Sequence, residues 1–350
     1  MPVRVLLVED SEIALVILKR ILETSPQIKV VGTACNGLEA LQLIPQTRPD
    51  VICTDLHMPQ MNGLELTTEV MAIDPRPILV ISASVQEDDR HTVFQLLEAG
   101  AVDIFPKPSI GLTAVDRSFD QALISKIKVL SGVKVFTRKR KVSTQRQPLE
   151  SKNWRTGSFH PYPKPQIVVV GASTGGPQAL QELFTSLPAD FPLPILCVQH
   201  ISLGFLQGLI DWLSNDCRLP IQIARPGDRP CPGTIYFPQE GQHLELDTRG
   251  RFVCSDKPLV DGHRPSATAT FQSVVNFYGQ KTIGILLTGM GRDGADGMRS
   301  IAQAGGFTIA QNEATSVVFG MPKEAIALGA AKQILPIHLI APALLNWLNN

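Results

Sequence analysis

The first 130 residues alternate short runs of β-branched residues with longer amphipathic segments. In one such segment, apolar and basic positions recur at helical spacing through Ile13, Val16, Ile17, Arg20 and Ile21. The short runs predict buried strands at Val3–Val8, Ile28–Val31, Val51–Thr54, Ile78–Ile81 and Val102–Phe105. Strands that alternate with helices at this period predict a parallel sheet covered by helices on both faces.

The same alternation resumes at residue 166. It predicts strands at 166–171, 194–199, 221–224, 283–288, 307–310 and 333–336. Residues 233–254 instead alternate with a period of two and carry Gly233, Gly241 and Gly250 at expected turns. This region predicts antiparallel β-hairpins inserted into an otherwise parallel sheet.

A basic, weakly periodic segment separates the two halves. Residues 126–165 contain eleven Lys or Arg and one acidic residue, Glu150. A solvated tether and a basic docking arm for an acidic protein surface both fit this composition. The predicted organisation is therefore a domain at 1–125, a linker at 126–165 and a domain at 166–350.

The composition narrows the class of protein. A length of 350 residues favours two domains, and 32 basic and 32 acidic residues give no net field for nucleic acid or a membrane surface. No apolar run reaches the length of a membrane span, and acidic residues come too early for a signal peptide. The six cysteines form no CxxC pair, which is typical of a reducing cytoplasm.

Acidic, hydroxyl and ammonium groups end successive strands of the first domain. Glu9 and Asp10 follow the first strand, Asp55 the third, Ser82 the fourth and Lys107 the fifth. The carboxyl ends of parallel strands share one edge of the sheet, where ligands bind. Asp10 and Asp55 could share Mg²⁺ there. The set can bind a phosphoryl group with Asp55 as its acceptor.

Residues 1–125 resemble a response-regulator receiver domain through the motifs Glu9-Asp10, Asp55-Leu56-His57-Met58-Pro59, Ser82-Ala83 and Lys107-Pro108. The resemblance implies a flavodoxin-like, doubly wound sheet and phosphorylation of Asp55 by a histidine kinase. It also implies Mg²⁺ bound by Asp10, Asp55 and the backbone carbonyl of His57, with Glu9 beside them. Ser82 and Lys107 would sense the phosphoryl group.

A glycine-rich turn in the second domain presents a serine. The apolar run Ile167–Val170 leads into Gly171–Pro177, which places Ser173 at the apex of a strand-to-helix turn, as expected of a nucleophile. His200 ends the neighbouring apolar strand and is the expected general base. Asp293 follows a third strand and would orient the imidazole. A dinucleotide-phosphate site remains an alternative interpretation of the glycine turn.

Other residues near these strand ends have narrower expected roles. The backbone N–H groups of Thr174 and Met290 are natural donors to an oxyanion. Asp296 fits a helix cap or first-turn acid better than a catalytic group. His243 and His263 are secondary candidates, and His263 precedes a possible helix start that faces the site.

Residues 166–350 resemble the catalytic domain of chemotaxis-type protein-glutamate methylesterases. The motifs are Gly171-Ala172-Ser173-Thr174-Gly175-Gly176, Val198-Gln199-His200, His263-Arg264-Pro265-Ser266, Leu287–Ala295, Ala310–Ala314 and Gly320–Ala325. The resemblance implies a Rossmann-like sheet with a Ser173–His200–Asp293 triad. It implies hydrolysis of glutamate γ-methyl esters on methyl-accepting chemoreceptors and deamidation of their glutamines. The ester chemistry needs no cofactor. Ile201-Ser202 stand where this family commonly has Met-Pro, and this stretch is expected to border the substrate groove.

Two further hypotheses belong to other classes of protein. A receiver joined to a non-catalytic binding domain would be a phosphorylation-controlled signalling adaptor. A receiver with a basic linker also occurs in transcriptional regulators, but the second half lacks a short helix-turn-helix pattern. With catalysis, a long tether predicts that the receiver rests against the active-site face and that phosphorylation of Asp55 uncovers Ser173.

Overall fold

The structure is a computed structural model that describes residues 1–83, 90–108, 117–135 and 164–348. Its first sheet has five parallel strands in the order β2-β1-β3-β4-β5. The strands are β1 (Val3–Val8), β2 (Ile28–Ala34), β3 (Val51–Thr54), β4 (Ile78–Ser82) and β5 (Asp103–Pro106). The helices are α1 (Glu12–Glu23), α2 (Gly37–Thr47), α3 (Gly63–Ile73), α4 (Arg90–Ala99) and α5 (Arg117–Leu130). The predicted doubly wound fold is confirmed for this half.

The buried face of α1 differs from the sequence-based expectation. Ile13 and Val16 are exposed, whereas Ala14, Leu18 and Leu22 pack against the sheet. The helix carries apolar residues on more than one face, so periodicity alone does not fix which face is buried. Its start is set by Ser11, whose hydroxyl accepts the backbone N–H of Ala14.

The second sheet has seven parallel strands in the order β14-β13-β12-β6-β7-β9-β8. The strands are β6 (Ile167–Ala172), β7 (Ile195–Gln199), β8 (Ile221–Ile223), β9 (Ile235–Phe237), β12 (Thr282–Leu286), β13 (Phe307–Gln311) and β14 (Gln333–Leu335). The next strand in the chain, β7, pairs with one side of β6, and the later strand β12 pairs with the opposite side of β6. A crevice for ligands therefore opens where β6 and β12 end.

Helices cover both faces of this sheet. They are α6 (Gly176–Thr185), α7 (Leu206–Ser214), α8 (Ala267–Tyr278), α9 (Ala295–Gln303), α10 (Met321–Ala327) and α11 (Ile337–Leu348). In the described part of the chain, none of the helices has both the length and the apolar character needed to cross a bilayer.

The hairpin region is only partly as predicted. β10 (His243–Leu246) and β11 (Phe252–Ser255) form the expected antiparallel pair, but as a separate two-stranded sheet that packs on α8. β9 instead pairs in parallel with β7 and β8. Its three residues, Ile235, Tyr236 and Phe237, are all buried, which suits a strand covered on both faces rather than a half-exposed hairpin.

The two halves share a continuous apolar cluster. α4 packs against α6 and α7, and Phe94 stacks on Trp212 with ring centroids 5.7 Å apart. The indole N–H of Trp212 donates to Glu98 Oε1 (2.8 Å). The first domain therefore packs directly against the helices that flank the second sheet's crevice.

The segment assigned to the linker starts inside a helix. α5 extends to Leu130 because Ile127 and Leu130 are buried in the core of the first domain. Residues 126–130 are thus helical, while 136–163, most of the predicted linker, lie outside the described residues.

Candidate active site

An acidic cluster lies at the carboxyl edge of the first sheet, as the sequence predicts. Lys107 Nζ donates to Asp55 Oδ2 (2.8 Å) and to Glu9 Oε1 (2.9 Å). Burial raises the pKa of the Asp55 carboxyl, and the hydrogen bonds from Lys107 and from the backbone of Leu56 only partly oppose it. Removing these carboxylates from water leaves a strong local demand for a cation.

The residues present fit a metal ion. Carboxylate oxygens of Glu9, Asp10 and Asp55 lie within 4.8 Å of one another, and Glu9 Oε2 is buried without a hydrogen-bond partner. Ser82 is buried at the end of β4, where its carbonyl accepts the backbone N–H of Lys107 (2.8 Å) and its hydroxyl donates to Ala83 O (3.2 Å). The cluster therefore offers hard oxygen ligands of the kind that suit a divalent cation such as Mg²⁺.

Backbone hydrogen bonds fix the strand ends of the second domain. Ser173 N donates to Thr288 O (3.0 Å), and His200 N donates to Ala172 O (2.9 Å). The buried amide of Gln199 donates to the carbonyls of both Ser173 and His200, at 2.8 Å each. Gln199 and Thr288 were not among the predicted site residues. Both residues directly end or follow apolar strands, and this position in the sequence could have identified them as site residues.

Glycines let the backbone approach the serine closely. A Cβ at Gly289 would lie 2.7 Å from Ser173 Cβ, too close for any other residue. Gly175 has φ of +76° and begins α6, and a Cβ there would meet Val317. The turn around Ser173 thus depends on glycine on both sides of the crevice.

The predicted His200–Asp293 pair forms. His200 Nε2 donates to Asp293 Oδ2 (2.7 Å). The same carboxylate accepts the backbone N–H groups of Ala267 (2.7 Å) and Thr268 (2.9 Å) and the hydroxyl of Ser266 (2.6 Å). Burial alone raises the pKa of Asp293, but these hydrogen bonds outweigh it and hold the pKa well below the usual range. Asp293 is therefore an anion anchored on the amino terminus of α8.

The other ring nitrogen of His200 is available as a base. Nδ1 is buried and has no hydrogen-bond partner among the described residues. Because Asp293 accepts the proton on Nε2, the neutral ring carries its lone pair on Nδ1. The arrangement can therefore remove a proton from a group placed next to Nδ1.

The two secondary histidines have different positions. His263 stacks on His200 with ring centroids 3.8 Å apart and planes 8° apart. Burial and the neighbouring His200 and Lys126 charges lower the pKa of His263 to about 4, against the opposing charge of Asp293. His243 is buried behind the site, where Nε2 donates to Pro258 O (3.1 Å) and Nδ1 accepts the N–H of Ser266 (3.3 Å). His243 supports the helix start and does not reach His200.

The expected oxyanion donors keep free N–H groups. Among the described residues, no acceptor takes the backbone N–H of Thr174 or of Met290. The hydroxyl of Thr288 donates to Thr174 O (2.9 Å), and this hydrogen bond connects the loop after β12 to the loop after β6. Asp296 instead pairs with Arg292 and Arg299 in the first turn of α9, as its expected first-turn role requires.

Part of the crevice rim contacts the first domain. Lys126 Nζ, in α5, donates to Thr174 Oγ1 (3.3 Å) as well as to Asp103 Oδ2 (2.6 Å). Gln178 Nε2, in α6, donates to Ala101 O (2.9 Å). A cation and a backbone carbonyl of the first domain therefore lie at the rim next to Ser173, which is only 7% exposed.

Comparisons with known proteins agree in both halves. Residues 168–344 match the family model described as CheB methylesterase, and residues 5–113 match that of the response regulator receiver domain. A Nitrosospira multiformis protein named protein-glutamate methylesterase/protein-glutamine glutaminase is 41% identical over 345 residues, 98% of this chain and 96% of that one. A Hahella chejuensis protein whose name differs only by a final 3 is 42% identical over 98% of each chain.

A solved structure shows the same fold in the second half. The crystal structure of the Thermotoga maritima CheB methylesterase catalytic domain aligns with a TM-score of 0.51 and 36% identity. It covers 52% of this chain and 98% of that chain. The alternative of a dinucleotide-binding domain has no support in these matches.

The low pKa of His263 predicts a stability change with pH. Its folded-state pKa of about 4 lies below the ordinary value of 6.5, so the neutral ring stabilises the fold fully above pH 6.5. This contribution is lost as pH falls toward 4 and amounts to about 1–2 kcal/mol between pH 7 and pH 5. Calorimetry should show a smaller loss of Tm over this interval in His263→Phe, which keeps a stacked ring but cannot titrate. Equal losses in both proteins would contradict the assignment.

Proposed function

The chain belongs to the CheB methylesterase family, and from this premise we propose that it hydrolyses glutamate γ-methyl esters on methyl-accepting chemoreceptors under the control of receiver phosphorylation. We also propose that it deamidates receptor glutamines. Its proposed domains are the receiver at 1–125, the linker at 126–165 and the catalytic domain at 166–350, with residues 126–130 reassigned to the receiver because α5 continues to Leu130 in the receiver core. The protein acts in the cytoplasm, consistent with six free cysteines.

The proposed reaction, hydrolysis of the ester through an acyl-enzyme, uses groups that lie at the carboxyl ends of the strands. Ser173 Oγ attacks the ester carbonyl while His200 Nδ1 takes the hydroxyl proton, and the N–H groups of Thr174 and Met290 stabilise the oxyanion. The protonated His200 gives its proton to the methoxide, which leaves as methanol. Water then attacks the acyl-enzyme with His200 as base, which regenerates Ser173 and releases glutamate. A glutamine amide would follow the same path and release ammonia.

One observation carries the proposal above all. The His200–Asp293 hydrogen bond joins an imidazole to a carboxylate that α8 holds ionised. This anion fixes the tautomer with Nδ1 unprotonated and offsets the charge of the imidazolium that forms when Ser173 attacks. A non-catalytic binding domain would not need this arrangement near a serine at the end of a neighbouring strand.

The receiver supplies control. A histidine kinase would donate the phosphoryl group to Asp55, and Asp10, Asp55 and the backbone carbonyl of His57 would hold Mg²⁺ with Glu9 nearby. The ion would neutralise charge on the incoming phosphoryl group. Lys107 forms an ion pair with Asp55 in the unphosphorylated protein. We propose that Lys107, with Ser82 beside it, then binds the negatively charged phosphoryl group. We propose that this rearrangement loosens the contact between the receiver and the crevice rim.

The adaptor alternative makes a different prediction for the serine. A fluorophosphonate probe labels an activated serine, so it should label the phosphodonor-treated protein at Ser173 and not label Ser173→Ala. A protein that binds receptors but does not react with the probe would favour the adaptor.

Substitutions in the proposed triad should lower the rate of methanol release from methylated receptor membranes by clearly different factors. Ser173→Ala should lower kcat by roughly 10⁶, and Asp293→Asn by on the order of 10⁴ because the wrong tautomer is favoured. Asp296→Asn is the matched control, since this first-turn acid lies outside the crevice, and it should retain most activity. Asp296→Asn falling below Asp293→Asn would show that the other aspartate orients His200.

Phosphorylation should raise the activity of the full-length protein. Acetyl phosphate with Mg²⁺ should increase methanol release, and chelation of the metal should abolish the increase. Asp55→Asn should lose the response, because it removes the phosphoryl acceptor. The fragment 166–350 should exceed the unphosphorylated full-length protein in rate. A slower fragment, together with a responsive Asp55→Asn, would refute the covering model.

The rim contact of Lys126 can be tested separately. Lys126→Met removes the cation and the hydrogen bond to Thr174, so it should raise the unphosphorylated rate about threefold to tenfold. Lys128→Met is the control, because Lys128 lies in the same helix and contacts Gln27 of the receiver instead. Equal effects of both substitutions would mean that the contact with Thr174 does not restrain the enzyme.

A further inference from the structure

A second cavity opens beside the catalytic histidine. It encloses about 320 Å³ between the loops that follow β7 and β9 and the segment that precedes α8. We call it the β7–β9 groove. The lining residues used below are Ile201, Leu203, Leu206, Glu240, Leu259 and Arg264. Its lining also includes Gln199, which precedes His200 in the chain, and Pro265, which precedes the Ser266 that donates to Asp293.

Two large apolar side chains of the groove face solvent. Leu203 is 68% exposed and Leu259 is 61% exposed, and they belong to different loops. Gly241, with φ of +71°, forms a turn near Leu203, and a Cβ at Gly241 would make only an ordinary contact of 3.9 Å with Leu203 Cδ2. Exposed leucines that line a common concave surface indicate a binding surface more than scattered exposed leucines do.

The groove is built on fixed polar groups. Glu240 Oε1 accepts the backbone N–H groups of Gly204 (2.9 Å) and Leu206 (3.0 Å), which holds the loop carrying Leu203 at the start of α7. Arg264 Nη1 donates to the carbonyls of Asp256 (2.5 Å) and Lys257 (3.1 Å). One anion and one cation are thus held at set positions, and no acceptor among the described residues takes the Nε or Nη2 donors of Arg264, which could bind a carboxylate.

We propose that the β7–β9 groove binds the receptor helix that carries the ester, with its apolar side chains between Leu203 and Leu259 and a carboxylate beside Arg264. This inference rests on the proposed function. An ester that reaches Ser173 is attached to a polypeptide, so that polypeptide must lie on the crevice rim. The rim at Thr174 and Gln178 is occupied by the receiver, whereas the groove adjoins His200 on a different side.

The groove is open even while the receiver contacts the rim. The described residues that line it all belong to the catalytic half of the chain, and both leucines are exposed in this arrangement. The receptor helix can therefore dock before Ser173 is uncovered. Docking then contributes to receptor affinity and selection, and phosphorylation controls the chemistry.

The test compares two substrates on the full-length protein treated with acetyl phosphate and Mg²⁺. One is methylated receptor membranes, assayed by methanol release, and the other is a small activated ester that cannot span the groove. Leu203→Glu and Leu259→Glu should each lower kcat/KM on receptors about tenfold, mainly through KM, and change the small-ester rate by less than about twofold. Leu339→Glu is the matched control, an exposed leucine in α11 away from the groove, and it should match the wild type on both substrates.

Each other outcome has a defined meaning. Wild-type protein that releases no methanol from receptors would refute the proposed function itself. If the wild type releases methanol and both groove variants match it, the function stands and the groove proposal fails. Equal losses on both substrates would also overturn it, because the effect would then act on the catalytic centre. A wild-type dimer in sedimentation that both variants abolish would assign the groove to a second copy of this chain instead.

Discussion

The buried carboxylate of Asp293 at the amino terminus of α8 is the interaction on which the rest of the active site depends. A carboxylate that is 1% exposed is costly unless donors surround it, and here two backbone N–H groups, one hydroxyl and one imidazole N–H do so. Satisfying this anion fixes the start of α8 relative to the end of β12. The carboxylate also orients His200. The positions of α8, the end of β12 and the imidazole are therefore all set by Asp293.

The same constraint explains residues that take no part in the chemistry. Ser266 both caps α8 and donates to Asp293, and the buried His243 accepts the N–H of Ser266. The hydroxyl of Thr268 accepts the N–H of Gly294, which closes the loop after Asp293. A layer of hydrogen bonds behind Asp293 thus holds its carboxylate within a narrow range of positions, which is what orientation of the His200 imidazole requires.

Much of the fold and the site could be predicted from the sequence, for reasons visible in particular residues. Strand-end chemistry was predictable because parallel strands bring their carboxyl ends to one edge of the sheet. Ser173 and His200 therefore follow the neighbouring strands β6 and β7, and the hydrogen bond between His200 and Asp293 forms as expected. Three features were not predictable from the local sequence pattern. The exposure of Ile13 in α1 depends on which face meets the sheet, and the parallel pairing of β9 depends on tertiary burial. The assignment of Nδ1, rather than Nε2, as the basic nitrogen of His200 depends on which ring nitrogen contacts Asp293.

Control of the enzyme has to pass through the apolar contact between its halves as well as through charges. Ile104 of β5 lies in the cluster that Phe94 and Trp212 share, three residues before Lys107. In the proposed mechanism, phosphorylation of Asp55 would act on Lys107 at the end of β5, and a movement of that strand end would reach the shared cluster through the packed side chain of Ile104. Charge at Asp55 alone could not separate surfaces joined by buried aromatic rings. A shift of α4 would weaken its packing on α6 and α7, and at the roughly millimolar effective concentration of a tethered domain a small loss of contact would change the covered fraction substantially.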